Sequence, residues 1–244
     1  FPNVSWKSFI LKWMHLRDLQ LFEKVCKYIY FPSYSFGNLF SNYNFKNVKY
    51  LPPGGSDQPF LSNNFQNKSF IYAGGTSKMY GGLKLIEAFR IINQDKTVAN
   101  LTFISSRTPY FNSEDFNYPW LKVLHTFNRM EIKQSYTDIT YALIPFRIDE
   151  YTNLTLPIKL FEYLGFGIPV ISTKCYEISK VLLQNKCGVI CNDDINSIAQ
   201  AINRSLFSEQ EYLELKQKAI ETGQNNRWLD RAKTIITDLG GEPV

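Results

Sequence analysis

The chain has 244 residues, 44% hydrophobic and 20% charged, the profile of a folded globular protein with room for one large or two small domains. Its net charge is +5, but the basic residues are scattered and accompany no nucleic-acid motif; nucleic acid is therefore not the expected partner, whereas anionic sugar nucleotides and anionic lipid surfaces suit the same charge. Four cysteines are too few for a disulfide scaffold in a chain of this length, and no apolar run reaches the ~18 residues of a membrane span.

Residues 8–29 carry a helical period through Leu11, Met14, Leu21, Phe22, Val25 and Ile29, decorated by Lys7, Lys12, Arg17, Lys24 and Lys27. Such a helix packs on a neighbouring domain or lies on a membrane surface, and packing is the preferred reading. Tyr28–Phe31 and Asn47–Leu51 read as short strands. Pro52-Pro-Gly-Gly-Ser-Asp57 reads as a linker, and 58–68 as a polar surface loop. Ser69–Ala73 is an apolar strand. It leads through the Gly-rich loop Gly74–Gly82 into a helix with Leu85, Ile86, Phe89 and Ile92 on one face. Strand, Gly-rich loop and helix together can cradle a phosphate. The same composition also serves in ordinary turns, and the loop is neither a Walker A motif nor a dinucleotide fingerprint.

Strands follow at Val98–Ile104 and Trp120–His125, separated by a polar, aromatic loop. After Thr126-Phe127, Asn128 caps a helix, with Glu131 in the position that completes a capping box. Asp138–Pro145 is a buried strand, and Phe146–Tyr151 a loop. Beyond residue 172 come a helix near 178–184, a strand at Gly188–Cys191, a helix capped by Asn192–Asp194, a charged helix over 208–222 and a last helix over 228–239. Cys187 and Cys191 find no companion pattern in His15 or His125, so no metal is expected. The thiols read as free and buried in a reducing cytosol. This alternation predicts an α/β fold, a Rossmann-like parallel sheet with helices on both faces, whose ligand sits at the carboxyl ends of the strands.

The stretch from Asn153 to Ser172 is the most informative. It is apolar except for Lys159 and Glu162, which lie three apart and so share a helix face. Either they pair with each other, or each meets part of a ligand, since an unpaired buried charge is costly. Thr155 is expected to cap this helix, with Pro157 in its first turn and Gly165 and Gly167 at its end.

Pro157-Ile-Lys-Leu-Phe-Glu-Tyr-Leu-Gly-Phe-Gly-Ile-Pro-Val-Ile171 resembles the donor-binding segment P-x-K-x-x-E-Y-x-x-x-G-x-P-V-I of the GT-B glycosyltransferases called group 1, a retaining family. The resemblance implies that residues 1–52 are a remnant of the amino-terminal domain with the interdomain linker. Residues 53–226 would then be the nucleotide-sugar-binding domain, and 227–244 a terminal crossover helix. It implies that Glu162 binds the donor ribose and Thr126 and Phe127 the base. Gly74, Gly75, Thr76, Lys78, Leu154, Thr155 and Lys159 would hold the diphosphate.

Two departures stand out. The group's G-R-x4-K-G loop has Gly75 and Tyr80 in place of its cations, with Lys78 as a candidate substitute. Leu154 stands where many relatives carry a Glu that contacts the sugar. No catalytic nucleophile or base is assigned, and the resemblance implies no bound metal or other cofactor. The implied donor is a UDP-sugar or GDP-sugar and the acceptor a glycan or a lipid-linked molecule, as in polysaccharide biosynthesis. The expected location is the cytoplasm, with peripheral contact at the inner face of the membrane left open. A non-catalytic sugar-nucleotide-binding module with a degenerate site is the alternative. A GT-B epimerase is disfavoured because its carboxylates and histidines are not apparent.

Overall fold

The computed structural model describes residues 6–56, 64–105, 116–126 and 128–242. The chain divides into two compact units, Phe1–Pro52 and Pro53–Val244.

The first unit holds α1 (Trp6–Val25), β1 (Ile29–Phe31), α2 (Tyr34–Asn38) and β2 (Val48–Tyr50). The two strands pair in parallel, Ile29 against Val48 and Phe31 against Tyr50. Phe31 is buried in a cluster of rings from Phe36, Phe40 and Phe45. Helix α1 stops at Val25, short of residue 29, because the β-favouring run Tyr28-Ile-Tyr-Phe31 supplies the strand instead. It leaves Leu11, Trp13, Met14, Leu21, Phe22 and Val25 exposed.

The second unit is built on a six-stranded sheet of β3 (Ser69–Ala73), β4 (Asn100–Ile104), β5 (Leu121–Leu124), β6 (Tyr141–Ile144), β7 (Val170–Thr173) and β8 (Gly188–Cys191). Spatial order is β5-β4-β3-β6-β7-β8, and every pairing is parallel. The expected α/β class, with helices on both faces, is what the structure shows. Alternation along the strands divides the core. Phe70 and Tyr72 of β3 and Tyr141 and Leu143 of β6 join one face, with α3 (Gly82–Ile92) and α8 (Ile195–Ser205). Ile71, Ala142 and Ile144 join the other, with α6 (Ile158–Gly165) and α7 (Tyr176–Asn185). Strands with side chains buried on both faces must be apolar throughout, as Tyr-Ala-Leu-Ile of β6 is.

Four further α-helices belong to the unit among the described residues: α4 (Arg129–Gln134), α5 (Glu150–Leu154), α9 (Glu209–Gln224) and α10 (Trp228–Asp238). Among the described residues no helix is long and apolar enough to cross a membrane.

The chain leaves β3 in one direction to β4 and returns on its other side at β6, so the sheet order reverses between β3 and β6. The carboxyl ends of those two strands therefore flank the crevice where a parallel sheet offers its ligand site.

One short helix was not expected. α5 (Glu150–Leu154) lies inside the predicted approach to the central stretch and is closed by a reciprocal cap. Asp149 accepts from the Thr152 amide at 2.9 Å, and Thr152 Oγ1 accepts from the Asp149 amide at 2.9 Å. This changes the role of Thr155. It ends α5, with its hydroxyl donating to the Thr152 carbonyl at 3.1 Å, and does not cap α6. Pro157 occupies the cap position of α6 in an extended conformation, setting the chain direction by its fixed φ without a side-chain bond.

Candidate functional site

Three segments meet at the β3–β6 crevice: the loop after β3, the loop after β6, and helix α6. The join between β3 and α6 is direct, because the Ala73 amide donates to Tyr163 Oη at 2.9 Å. The following amide, Gly74, donates to the Ile104 carbonyl at 2.9 Å. Gly74 therefore contributes its missing side chain here, its amide being spent on β4. A Cβ on Gly74 would lie 2.6 Å from Lys159 Nζ and 2.7 Å from Tyr72 Oη.

Gly75 and Tyr80 are complementary. Tyr72 Oη donates to the Gly75 carbonyl at 2.6 Å, and a Cβ on Gly75 would lie 2.6 Å from the Tyr80 ring. The two departures from the group 1 loop pattern are thus one structural change, since the ring at 80 fills the space that any side chain at 75 would need. Thr76 is half-buried in the same loop. Lys78 is exposed on the single 3₁₀ turn Lys78–Tyr80. Gly81 follows in the left-handed region at φ +68°, where a Cβ would meet the Pro145 carbonyl oxygen. Only glycine allows the loop to pass so close to the end of β6. The Arg147 amide donates to the Met79 carbonyl at 2.9 Å and ties the two loops together.

Lys159 projects from α6 into this junction. The residue is half-buried, but Nζ is enclosed and has no hydrogen-bond partner among the described residues. Three rings surround Nζ, Tyr72 at 4.7 Å, Phe146 at 4.9 Å and Tyr80 at 5.8 Å from their centroids. Burial pushes the ammonium pKa down to about 7, with no acidic partner among the described residues to oppose it. Burial also raises the Tyr72 phenol far above its ordinary value, so this neighbour stays neutral.

Glu162, three residues on, has different surroundings. It lines a cleft of about 740 Å³ with Ser56, Arg129, Lys133, Tyr136 and Trp228. Burial raises its pKa, and the positive charges of Arg129 and Lys133 draw it back down. No Lys159–Glu162 ion pair forms among the described residues, so the simple pairing that their spacing allows is not adopted.

Of the remaining residues singled out in the sequence, Thr126 is half-buried and its Oγ1 accepts from the Asn128 amide at 3.0 Å. Phe127 lies outside the described residues. Asn128 caps α4 through the Met130 amide at 2.9 Å, as expected. Leu154 and Thr155 close α5 at the approach to α6, and Asn153 Oδ1 accepts from the Tyr176 amide at the start of α7. His125 sits with Nδ1 3.3 Å from the Ser105 carbonyl, a structural contact. Reading the sequence did not single out Tyr72, Phe146, Arg129, Lys133 or the tie made by Tyr163. The first two look like ordinary core residues in strand and loop, and the cations look like a solvated helix face. Only the i, i+4 spacing of Arg129 and Lys133 hints at a shared direction.

With this geometry in hand, known proteins provide the comparison. The family described as Glycosyl transferases group 1 matches residues 67–207, more than half of the chain. No curated protein sequence matches it. Among solved structures, sucrose-phosphate synthase from Thermosynechococcus elongatus is similar with a TM-score of 0.72 at 14% identity, over 96% of this chain and 63% of that one. A glycosyltransferase from Rickettsia africae is similar at 0.69 and 13% identity, over 92% and 66%. A UDP-forming α,α-trehalose-phosphate synthase from Burkholderia xenovorans is similar at 0.64 and 11% identity, over 88% and 61%. These likenesses show the fold, and this chain spans under two thirds of the length of the first of these structures.

Proposed function

This chain belongs to the glycosyl transferases group 1 family, and from that premise we propose that it supplies the donor site of a retaining glycosyltransferase. The donor is a UDP-sugar or GDP-sugar and the acceptor a glycan or lipid-linked molecule, handled in the cytoplasm or at the inner face of the membrane. The observation that carries this reading is the enclosed Lys159 amine without a hydrogen-bond partner, set against Gly74 at the end of β3. A cation placed so needs an anion, and a diphosphate at the carboxyl end of a parallel sheet is the ligand that suits both charge and place.

In this reading Lys159 meets the diphosphate, and the loop Gly74–Lys78 with the approach at Leu154 and Thr155 shapes its bed. Glu162 accepts hydrogen bonds from the ribose hydroxyls, and Thr126 and Phe127 border the base. As the bond to the sugar breaks, negative charge gathers on the leaving diphosphate. A fixed cation in a dry setting stabilises that charge more than it stabilises the intact donor.

One observation favours a second reading. Gly75 and Tyr80 replace two loop cations of the family pattern with a glycine and a packed ring. That change suits a module which binds sugar nucleotides without turning them over. Thermal stability with UDP, GDP, ADP and CDP tests the donor site. A ligand at a hundred times its dissociation constant should add about 2.7 kcal/mol, and Glu162→Ala should abolish the shift. The absence of any shift in the wild-type chain would sink the donor-site reading. Donor hydrolysis by the protein, followed by product analysis, separates transferase from binding module.

A further inference from the structure

Lys159 is an ammonium-bearing side chain placed where an ammonium is poorly provided for. Its Nζ is shut away from water and has no hydrogen-bond acceptor among the described residues. From β3 it faces Tyr72, whose hydroxyl is engaged with Gly75 O. From the 3₁₀ turn it faces the Tyr80 ring, and from the loop after β6 the Phe146 ring. The Gly74 backbone lies alongside, where a Cβ would stand 2.6 Å from Nζ. On its own helix the nearest titratable groups are Glu162, which faces the other cleft with Arg129 and Lys133, and Tyr163, which holds the Ala73 amide. None of these is an anion directed at Nζ. The rings offer their π faces, worth roughly 0.5–2 kcal/mol each to a cation. That does not replace three lost hydrogen bonds to water.

We propose that Lys159 is held as a neutral amine in the unliganded protein and takes up one proton as a diphosphate docks, so that donor binding is coupled to proton uptake. The inference rests on the reading of this site as the diphosphate subsite. The balance is simple: the amine lone pair accepts a proton from buffer, no other bond changes, and the new ammonium pairs with the arriving anion. Burial that brings the free amine near neutrality supports the same conclusion. In consequence, affinity should weaken about tenfold for each pH unit above the point where the free amine titrates.

Two measurements on this chain decide the matter. The first is NMR titration of ¹³C-labelled lysine side chains, with Lys159→Arg identifying the resonance. The expected midpoint for the free chain is about 7. A midpoint with the surface lysines at about 10.4 overturns the proposal. The second is titration calorimetry with UDP-glucose, GDP-mannose and pyrophosphate in buffers of different ionisation enthalpy. The two sugar nucleotides carry no phosphate group that titrates near neutrality. Uptake of about one proton per sugar nucleotide is expected at about pH 8.5 and almost none at about pH 5.5. Lys159→Arg, which cannot lose its charge, should bind without uptake.

Binding lost in Lys159→Ala but without uptake in the wild type removes the coupling and leaves the donor-site reading intact. Binding indifferent to Lys159→Ala, or no binding by any probe, removes both.

Discussion

The two charged residues of α6 stand three positions apart in opposite surroundings. Lys159 is enclosed by rings and has no counter-charge among the described residues. Glu162 opens into a cleft where two cations balance it. A structural ion pair would have placed both side chains together on the exposed face of the helix, where such pairs contribute about 0.3–0.5 kcal/mol. Here the pair is split, and each charge carries its own desolvation. The stability cost falls mostly on Lys159, because Glu162 keeps water and Arg129 and Lys133 within reach. That division suits a ligand which is anionic at one end and rich in hydroxyls at the other.

The sharpest way to break the contrast is to remove the enclosed amine. A lysine held at about 7 in place of 10.5 costs on the order of 4 kcal/mol near pH 7, at about 1.4 kcal/mol per tenfold change in the proton equilibrium. Lys159→Met should therefore raise stability at pH 7 by up to about 4 kcal/mol while abolishing nucleotide binding. The sign follows from linkage: between about pH 7 and 10.5 the unfolded chain holds this proton and the folded chain does not, so wild-type stability gains with pH across that window. The advantage of the variant should accordingly shrink to about 2 kcal/mol at pH 9. Urea unfolding of both proteins at the two pH values checks this. A variant less stable than wild type at pH 7 would contradict the claim that Lys159 is unpaired.

Gly74→Ala attacks the same enclosure from the backbone. The added methyl group would stand 2.6 Å from Lys159 Nζ and 2.7 Å from Tyr72 Oη. Over-packing of this kind costs about 1–3 kcal/mol. Lys159 can relieve its own part of the clash by leaving the ring box, so Gly74→Ala should also move the lysine resonance toward that of a solvated amine, while the contact with Tyr72 remains. A variant that unfolds at the wild-type urea midpoint, with Lys159 unmoved, would show that the loop has room which the geometry denies.

The contrast also explains what could be read from the chain beforehand. The alternating order of strands and helices was legible, because apolar runs of strand length and helical period are local signals. So was the Pro157–Ile171 segment, whose family membership the match over residues 67–207 bears out. Helix α5 was not, since its cap reverses the usual order, with Asp149 first and Thr152 third, and leads no apolar run. Thr155 was misplaced for the same reason: a threonine before a helix is also a threonine after one. The enclosure of Lys159 was illegible on different grounds. Its walls come from residues 72, 80 and 146, brought together by the sheet order, and an aromatic residue in a strand or loop carries no mark of facing a cation. Nor did the sequence show that glycine at 75 and tyrosine at 80 belong together, which emerges only when the ring is seen lying against the backbone.

At the open end of the helix the effects should be smaller. Glu162→Gln keeps the shape and removes the charge, so the proposed bonds to ribose hydroxyls would fall from charge-assisted to neutral strength. A loss of about 1–1.5 kcal/mol in nucleotide affinity is expected, roughly tenfold. Stability should hold or rise slightly, because a partly buried carboxylate is no longer desolvated. Calorimetric binding and urea unfolding of the same sample separate the two. Lost stability with unchanged affinity would assign Glu162 to the scaffold.

The smallest effect tests the balance itself. Arg129 and Lys133 lower the Glu162 pKa against the rise that burial imposes. Arg129→Ala with Lys133→Ala should therefore let that pKa climb further. Near neutral pH nucleotide affinity should change by under about 1 kcal/mol, as for other partly exposed charge pairs. As pH falls, the double variant should lose binding earlier than wild type, because a protonated Glu162 has one acceptor fewer for the ribose. The Lys159 arm moves in the opposite direction, since acid favours its charged form. Wild-type affinity should therefore peak between the two titrations, and the double variant should move only the acid limb of that peak. If both limbs move together, the two ends of α6 are coupled through the helix, and the separation read from their surroundings does not hold.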